Sequence, residues 1–199
     1  MNKSINIVWF KRDLRTEDHR PLYEASQNLL PTLPLFIIEP DYWIRSYASS
    51  KHWHFVRDCL INLNNDCSQL GQPLLVKTGE TIAVFEELMT MFNINTIHAH
   101  EETGDDWTFK RDIRVRKWCH QNNIAFIESP CNGVVRGLKN RDDWAKIRNN
   151  RVYSQIIPKP KKLKPIIIEC STKIPNKDDS LFGDHIIGKV QKGGRTEAL

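Results

Sequence analysis

Charged side chains gather directly after an apolar run near the start of the chain. Residues 5–10 form that run, and Lys11, Arg12, Asp13 and Arg15 follow it. A run of this kind is typical of a buried parallel strand. Ligands of open α/β sheets bind just beyond the carboxyl ends of the strands. The cluster therefore either borders a ligand crevice or forms a solvated loop after an ordinary strand, and the residues alone leave both interpretations open.

A second polar group follows another candidate strand. His98, His100, Glu101 and Glu102 lie at or just after the end of residues 96–100. Two imidazoles and two carboxylates are a ligand set for a transition metal, but no further ligand spacing supports one and no C-x-x-C pair is present. We therefore predict no metal site. The spacing also suggests no Cys–His pairing for nucleophilic catalysis.

Five strand candidates alternate with helical patterns and must position these groups. The strands are predicted at 5–10, 32–38, 73–76, 96–100 and 124–127, and the helices at about 21 onward, 50–70, 82–92 and 105–120. Such alternation is typical of βαβ units with right-handed crossovers. Residues 1–130 are therefore predicted to form an α/β domain, a Rossmann-like five-stranded parallel sheet with helices on both faces.

The alternation stops after residue 130. Residues 131–188 are rich in proline, glycine and charge, which predicts a long irregular linker with one short helix over 141–149. The excess positive charge of the chain falls after residue 150, mostly in a basic run at 159–164. This run could contact nucleic acid, but charge blocks are more often solvated.

Composition and missing motifs exclude several classes. No stretch approaches the roughly 18 apolar residues of a membrane span. The phosphate-cradling G-x-x-x-x-G-K-[S/T] and G-x-G-x-x-G motifs are missing, as is the G-x-S-x-G serine elbow. The five scattered cysteines are interpreted as reduced thiols. A strand begins almost at the N-terminus and leaves no room for a signal peptide, so we expect a soluble cytoplasmic protein.

Four groups of residues along the chain resemble motifs of the photolyase/cryptochrome flavoprotein family. They are VWFKRDLR at 8–15, HEETG at 100–104 with WTFKRD at 107–112, GVVR at 133–136 with RDDW at 141–144, and GGR at 193–195. The resemblance implies a bacterial photolyase-like chain whose residues 189–199 begin a helical FAD-binding domain. The rest of that domain would lie beyond these residues. In this family FAD uses light to repair pyrimidine dimers in damaged DNA, so the chain alone should neither bind FAD there nor repair DNA, and no catalytic residue is expected in it.

The resemblance also implies an antenna chromophore in the α/β domain, either methenyltetrahydrofolate or a flavin or deazaflavin. Such a ligand needs a cleft with stacking surfaces and a few polar anchors. We expect the cleft to be built from Trp9, Phe36, Ile38, Glu39, Lys51, His52, His100, Glu101, Glu102 and Trp107. Phe36 and Ile38 are equally ordinary core positions, and Lys51 and His52 are an ordinary helix start. Folate-binding members carry an Asn-Glu pair where this chain has Trp107 and Thr108, which leaves the antenna open.

The remaining predictions concern partners. We assign Arg12, Asp13, Arg15 and Arg111 mainly to ion pairs that face the helical domain. A face left uncovered by that domain would favour self-association. Two other functions stay open: a cryptochrome-type blue-light signalling protein, which these residues do not distinguish from a repair enzyme, and a stand-alone nucleotide-binding module with the same sheet.

Overall fold

Five parallel strands form the centre of the computed structural model, which describes residues 2–168, 173–183 and 190–198. The strands are β1 (Lys3–Phe10), β2 (Thr32–Ile38), β3 (Leu75–Thr78), β4 (Phe92–His100) and β5 (Ala125–Ser129). They lie in the order β3-β2-β1-β4-β5, and every neighbouring pair is parallel. The predicted Rossmann-like sheet is confirmed. The strand order reverses between β1 and β4, where open α/β sheets hold their ligands.

Helices cover both faces of the sheet, as predicted. They are α1 (Arg20–Ser26), α2 (Pro40–Trp43), α3 (Ser50–Gln69), α4 (Thr81–Met91), α5 (Asp106–Gln121), α6 (Trp144–Val152) and α7 (Arg195–Ala198), with 3₁₀ turns at Arg141–Asp143 and Ser180–Phe182. Helices α1 and α3 pack on one face, and α4 and α5 pack on the other. The short α2 was not predicted from the sequence. Among the residues that the structure describes, no helix combines the length and apolar character needed to cross a membrane.

Side chains cap the helices near the predicted starts. Ser49, Glu80 and Asp105 each accept a hydrogen bond from a backbone N–H in the first turn of α3, α4 and α5. These bonds satisfy donors that a helix start leaves without partners. At the start of α1, Nδ1 of His19 accepts the N–H of Leu22. This bond requires that Nδ1 carry no proton, so the proton of a neutral His19 lies on Nε2.

The apolar core consists of two clusters, one on each face of the sheet. Alternate side chains of a strand point to opposite faces, so β1 contributes to both clusters. Ile5, Ile7 and Trp9 pack toward α4 and α5, whereas Val8 and Phe10 pack toward α1 and α3. All five are at most 1% exposed. The first strand is therefore central, as its apolar run predicts.

Strand boundaries differ from the prediction at β1, β3, β4 and β5, and the largest shift is at the start of β4. β3 begins two residues later than expected, and β4 begins at Phe92 rather than at residue 96. The chain passes directly from α4 into β4, and Phe92 and Ile94 are both buried in the core. The polar residues Asn93 and Asn95 hid this part of the strand, because they lie at exposed positions between the buried ones.

Residues 163–166, inside the predicted linker, are bonded to the amino edge of the sheet. Leu163 N–H donates to Leu70 O at 2.7 Å, Thr32 N–H donates to Lys164 O at 3.1 Å, and Ile166 N–H donates to the Gln72 side chain at 2.6 Å. Leu163 joins one core cluster and Ile166 joins the other. This strap (residues 163–166) therefore connects the two faces around the edge opposite the carboxyl ends of the strands.

The rest of the predicted linker is mostly irregular, and α6 begins three residues later than the helix predicted over 141–149. Parts of the linker at 169–172 and 184–188, together with Cys170, lie outside the described residues, as do residues 189 and 199 of the predicted domain start. The division of the chain at residues 130 and 188 stays a prediction.

The strap should contribute to the stability of the α/β domain. Leu163 is fully buried, so Leu163→Ala should lower the free energy of unfolding by about 2–5 kcal/mol in urea titrations. Lys161→Ala, at a neighbouring exposed position, is the matched control and should change it little. Equal stability of the two variants would show that the strap does not fold with the domain.

Candidate functional site

A cavity of about 690 Å³ opens at the carboxyl ends of β1 and β2. We call it the crevice. Seven aromatic side chains line it: Trp9, Phe10, Phe36, Tyr42, Trp43, Tyr47 and Phe55. Charged side chains, among them Glu39, Glu102 and Arg111, close one end. Ligand pockets of proteins commonly have this size and this division between apolar walls and a few polar groups.

Arg111 of α5 organises the charged end of the crevice. Its Nη1 donates to Glu39 Oε2 at 2.5 Å, and its Nη2 lies 3.1 Å from Glu102 Oε2 and 2.8 Å from Asp112 Oδ1. These four side chains are each at most 9% exposed. A planar guanidinium can serve several carboxylates at once, which a lysine ammonium does less well. Arg111 thus joins α5 to the segments that follow β2 and β4.

Two further contacts complete this buried cluster. Lys11 Nζ lies 2.5 Å from Asp112 Oδ2, which brings in the segment after β1. The hydroxyl of Thr81, at the start of α4, donates to Glu39 Oε1. Each of the three carboxylates and the two cations of the cluster thus has an oppositely charged protein partner. Buried charges require such partners, because they have lost their contacts with water.

The pKa values follow from the balance of charge in the cluster. Burial raises the pKa of Glu39, and although Arg111 and Thr81 favour its ionised form, the nearby charge of Asp112 opposes them. Burial would lower the pKa of Arg111, but Glu39 and Asp112 outweigh it and raise that pKa. Arg111 therefore stays charged, whereas burial makes the ionised form of Glu39 less favourable than in water.

Trp9 is a fixed wall of the crevice. Its ring centroid lies 4.8 Å from the Arg111 guanidinium carbon and 5.0 Å from Lys11 Nζ. Cations at such distances are attracted to the face of an indole ring. Phe85 meets the same ring edge-on at 5.6 Å. Only 1% of Trp9 is exposed, so its orientation is set by the protein before any ligand binds.

The structure brings together half of the residues predicted to build the cleft. Those that line the crevice are Trp9, Phe36, Glu39, His52 and Glu102. Ile38 is fully buried in the core, and its neighbour Ile37 lines the crevice instead. Lys51 is exposed at the start of α3 and does not line it. The roles of all these residues in binding stay predictions.

The other three predicted residues lie elsewhere. Trp107 is half-buried beside the crevice, with its ring 5.9 Å from that of Tyr42. Glu101 forms ion pairs with Arg136 and Arg151, at 3.6 and 3.5 Å. His100 does not line the crevice, because it points toward the α1 face of the sheet.

His100 belongs to a compact buried group with Asp13 and His19. Asp13 Oδ2 bonds to His100 Nδ1 and lies 2.6 Å from His19 Nε2. Burial alone would raise the pKa of Asp13, but the two histidines outweigh it and hold that pKa well below its ordinary value. Burial lowers the pKa of His19, whereas for His100 the bonds to Asp13 and Cys131 overcome burial and raise the pKa to about 9. Asp13 is thus ionised between a neutral and a charged imidazole.

The four residues predicted to face a helical domain differ in their exposure and in their bonding partners. The side chain of Arg12 is 55% exposed and pairs with Asp105 at 3.2 Å. Arg15 is partly exposed and donates to the carbonyl of Asp18. Asp13 and Arg111 are buried in the two groups described above. An interdomain role for these four residues stays a prediction.

Some lining residues were missed by sequence reasoning. Tyr42 and Tyr47 follow the end of β2 in and after the unexpected α2, where only their aromatic character was a signal. The segment before α7 also lines the crevice. A Cβ at Gly193 would lie 2.1 Å from the carbonyl oxygen of Phe55, so only glycine allows this approach to α3. The adjoining Gly194 and Arg195 stand in the crevice wall.

The molecule is a parallel α/β domain with an open crevice at the carboxyl edge of its sheet. A family model described as DNA photolyase matches residues 6–157, and the chain belongs to this family. Among curated proteins, a cryptochrome DASH of Synechocystis sp. is 30% identical over 97% of this chain and 43% of its own length.

Two solved structures are similar in fold. A cryptochrome of Synechocystis sp. superposes with a TM-score of 0.79 at 18% identity, over 98% of this chain and 44% of its own. An archaeal photolyase from Sulfolobus tokodaii gives a TM-score of 0.74 at 24% identity, over 97% of this chain and 44% of its own. The chain thus spans less than half the length of these relatives.

Loss of Arg111 should destabilise the domain strongly. Arg111→Met leaves three buried carboxylates around one remaining buried cation, so the free energy of unfolding should fall by about 3–5 kcal/mol. Arg114→Met, on the exposed side of the same helix, should change it little. Urea titration of both variants measures the difference, and a stable Arg111→Met domain would contradict the assigned cluster.

The stabilising effect of Asp13 should depend on pH. Because the folded-state pKa of Asp13 is depressed, its ionisation stabilises the fold above its ordinary pKa of about 3.9. That stabilisation is lost as the pH falls through the folded-state pKa. Asp13→Asn should therefore be clearly less stable than the parent chain at pH 7, and the difference should shrink below pH 4. The exposed Asp106→Asn is the control. An Asp13→Asn deficit equal at pH 3 and pH 7, by urea titration, would contradict an ionised Asp13.

Proposed function

We propose that this chain is the antenna-binding domain of a light-driven flavoprotein of the DNA photolyase family. The observation that carries the proposal is the aromatic crevice with its fixed charged end, located where ligands of open α/β sheets bind. A chromophore bound there would absorb light and pass the excitation to FAD. The protein residues would hold the chromophore in place, orient it and exclude water.

The crevice suits a flat heteroaromatic ring. Trp9 closes the crevice from behind and is almost fully covered by protein, whereas Tyr47 and Phe55 stand in the wall with exposed rings. Polar groups at the edge of such a ring would meet the charged end, where Glu39 and Arg111 are held by each other. Stacking on rigid aromatic side chains costs little conformational entropy, which favours tight binding.

A flavin or deazaflavin is the antenna that we favour over methenyltetrahydrofolate. The Asn-Glu pair of folate-binding members is replaced here by Trp107 and Thr108, so the usual carboxylate for a pterin is missing at that place. The archaeal photolyase with a similar fold is described as containing two FAD molecules, with the implication of a novel light-harvesting cofactor. A second flavin-type pigment in such a domain is consistent with this crevice.

The activity of the whole protein is part of the proposal. Light-driven repair of pyrimidine dimers in damaged DNA is the main function that we propose, in the cytoplasm and together with a helical FAD-binding domain. Arg12 and Arg15 would then contribute to the interface with that domain. Without it, the apolar side chains at the crevice mouth, such as Tyr47 and Phe55, favour self-association of the chain.

Blue-light signalling is the second candidate, because curated relatives with long matches are cryptochromes. A dimer-repair assay on the gene product that includes a helical FAD domain separates the two candidates. Light-dependent loss of cyclobutane dimers supports repair. Normal FAD binding without repair supports signalling.

Binding of the antenna tests the role of the crevice. We expect riboflavin 5′-phosphate to bind the purified chain with quenched flavin fluorescence, and more tightly than methenyltetrahydrofolate. Phe55→Ala removes one aromatic wall, so the dissociation constant should rise about 2- to 12-fold, corresponding to about 0.5–1.5 kcal/mol for an aromatic contact.

Phe109→Ala is the matched control for this measurement. Phe109 is 42% exposed, compared with 40% for Phe55, but it does not line the crevice. Its substitution should leave the dissociation constant unchanged. Tighter binding of the folate would assign a folate antenna instead, and failure of both chromophores to bind would contradict the antenna proposal.

A further inference from the structure

A second cavity, of about 420 Å³, lies between the start of α1, the end of β5 and α6. We call it the α1 cavity. Arg15 borders both cavities, but none of the aromatic residues of the crevice reaches this one. The wall of the α1 cavity includes His100 and Cys131, with Arg15, Arg20, Arg151 and Asp18 around them.

Cys131 and His100 interact within the wall of this cavity. Both side chains line it, each shifts the pKa of the other, and Cys131 is only partly buried. Asp13 engages His100 at Nδ1, so Nε2 is the nitrogen left to face the thiol. The sequence alone suggested no such Cys–His pairing. The two residues are 31 positions apart in the sequence. They come together because β4, which ends at His100, pairs with β5, and Cys131 lies two residues after β5.

Asp13 fixes the orientation of His100. Its Oδ1 accepts the backbone N–H groups of Lys11 and Arg12, both at 3.2 Å, while Oδ2 holds the two imidazoles. Because Asp13 is ionised, it keeps a proton on His100 Nδ1. A thiol, an imidazole and a carboxylate in this order form the arrangement that activates a nucleophilic cysteine.

The electrostatics of Cys131 differ from those of the other cysteines that the structure describes. The hydrogen bond to His100 lowers the pKa of Cys131, and burial opposes it only in part. Burial raises the pKa of Cys59, and it raises the pKa values of Cys67 and Cys119 to about 12. Low pKa and partial exposure together distinguish reactive cysteines from structural ones.

A metal ion explains this group less well than proton chemistry does. Asp13, His19 and His100 bring three possible ligand atoms together. His19 Nε2 and Asp13 Oδ2 are 2.6 Å apart, which is a hydrogen-bond distance. Two ligands about 2.1 Å from a tetrahedral zinc ion would be more than about 3 Å apart.

The charge of the cavity wall selects the reaction partner. Three arginines and one carboxylate line it, so a small anionic molecule is favoured there. Within the described part of the chain, the ion pair of Arg20 is with Glu24 on the surface of α1, at 3.6 Å, which leaves some of its guanidinium donors for such a ligand. A thiolate nucleophile and an anion-attracting wall together suit a disulfide that carries carboxylates.

We propose that Cys131, activated by His100 and oriented through Asp13, is a thiol–disulfide exchange site for small anionic disulfides. His100 is protonated and pairs through its Nε2–H with the Cys131 thiolate, which attacks one sulfur of the disulfide. A new S–S bond forms as the original one breaks. The leaving thiolate takes the proton from His100 Nε2 and departs as a thiol, so no further oxidant is needed.

Alkylation with iodoacetamide tests the state of Cys131. Peptide mass mapping of the folded chain at pH 7 should find Cys131 modified before Cys59, Cys67 and Cys119. The midpoint of its pH–rate profile should lie below the ordinary cysteine value of about 8.5. The charged groups that face the thiol are His100, Asp13, Arg15, Arg151, Arg20 and Asp18. A midpoint at or above 8.5 in the folded parent chain would overturn the proposal.

His100→Asn separates activation from structure. The asparagine amide can keep the hydrogen bond to Asp13 that Nδ1 makes, but it lacks the Nε2 position. The midpoint for Cys131 should rise to about 8.5 or above, while the far-ultraviolet circular dichroism stays unchanged. His120→Asn, at the exposed end of α5, should not move the midpoint. An unmoved midpoint in folded His100→Asn would also overturn the assigned role of His100.

The partner is tested with two disulfides of opposite charge. Oxidised glutathione should form a mixed disulfide at Cys131 several-fold faster than the cationic cystamine, and Arg20→Gln should reduce that preference. Equal rates at low ionic strength would contradict selection by the arginines. Zinc alone, added before the disulfide, should not protect Cys131, and stoichiometric protection would assign a metal site instead.

Discussion

A single guanidinium holds together the carboxyl edge of the sheet. Arg111 bonds to Glu39 after β2 and to Glu102 after β4, and through Asp112 it also reaches Lys11 after β1. Buried ion pairs of this kind often add little net stability, because desolvation offsets the attraction between the charges. Their effect here is geometric: three strand ends and one helix must take fixed positions before the carboxylates are satisfied. The form of the charged end of the crevice therefore depends on where these strand ends and α5 are held.

The reversal of strand order at β1 and β4 explains why two polar groups lie side by side. The segments that leave these neighbouring strands diverge, one group of side chains turning toward α5 and the other toward α1. Lys11 serves the first group, whereas Asp13, two residues further, serves the second. The aromatic crevice and the thiol-bearing cavity are therefore consequences of the same topological feature, although their chemistry is unrelated.

The sequence predicted the fold well because hydrophobic periodicity, and the residues that begin and end helices and strands, act over a few neighbouring positions. The apolar run of β1 and the caps at Ser49 and Asp105 each specify structure within a few residues. Partners distant in sequence were not predictable in this way. Nothing local indicates that Arg111 bonds to Glu39, or that Cys131 meets His100.

Two further errors of placement have a physical explanation. Ile37 rather than Ile38 lines the crevice. Which side chain near a strand end is accessible depends on the face of the sheet to which it points and on the residue at which the strand ends. The strap was interpreted as solvated linker because lysines surround Leu163, although an isolated apolar residue in such a run was a signal of docking. Charge patterns describe the exposed side of a segment and say little about the side that packs.

Residues 11–13 form a turn that contributes to both cavities. Lys11 belongs to the charged cluster of the crevice, and Asp13 holds His100 in the wall of the α1 cavity. A change in the backbone of this turn would alter the carboxylate that steadies His100 and the ammonium that faces Trp9 together. Sequence drift in one cavity is therefore constrained by the other, and substitutions there should be strongly non-additive in double-mutant cycles. The turn thus links, over three residues, the cation that contacts Trp9 to the carboxylate that orients His100.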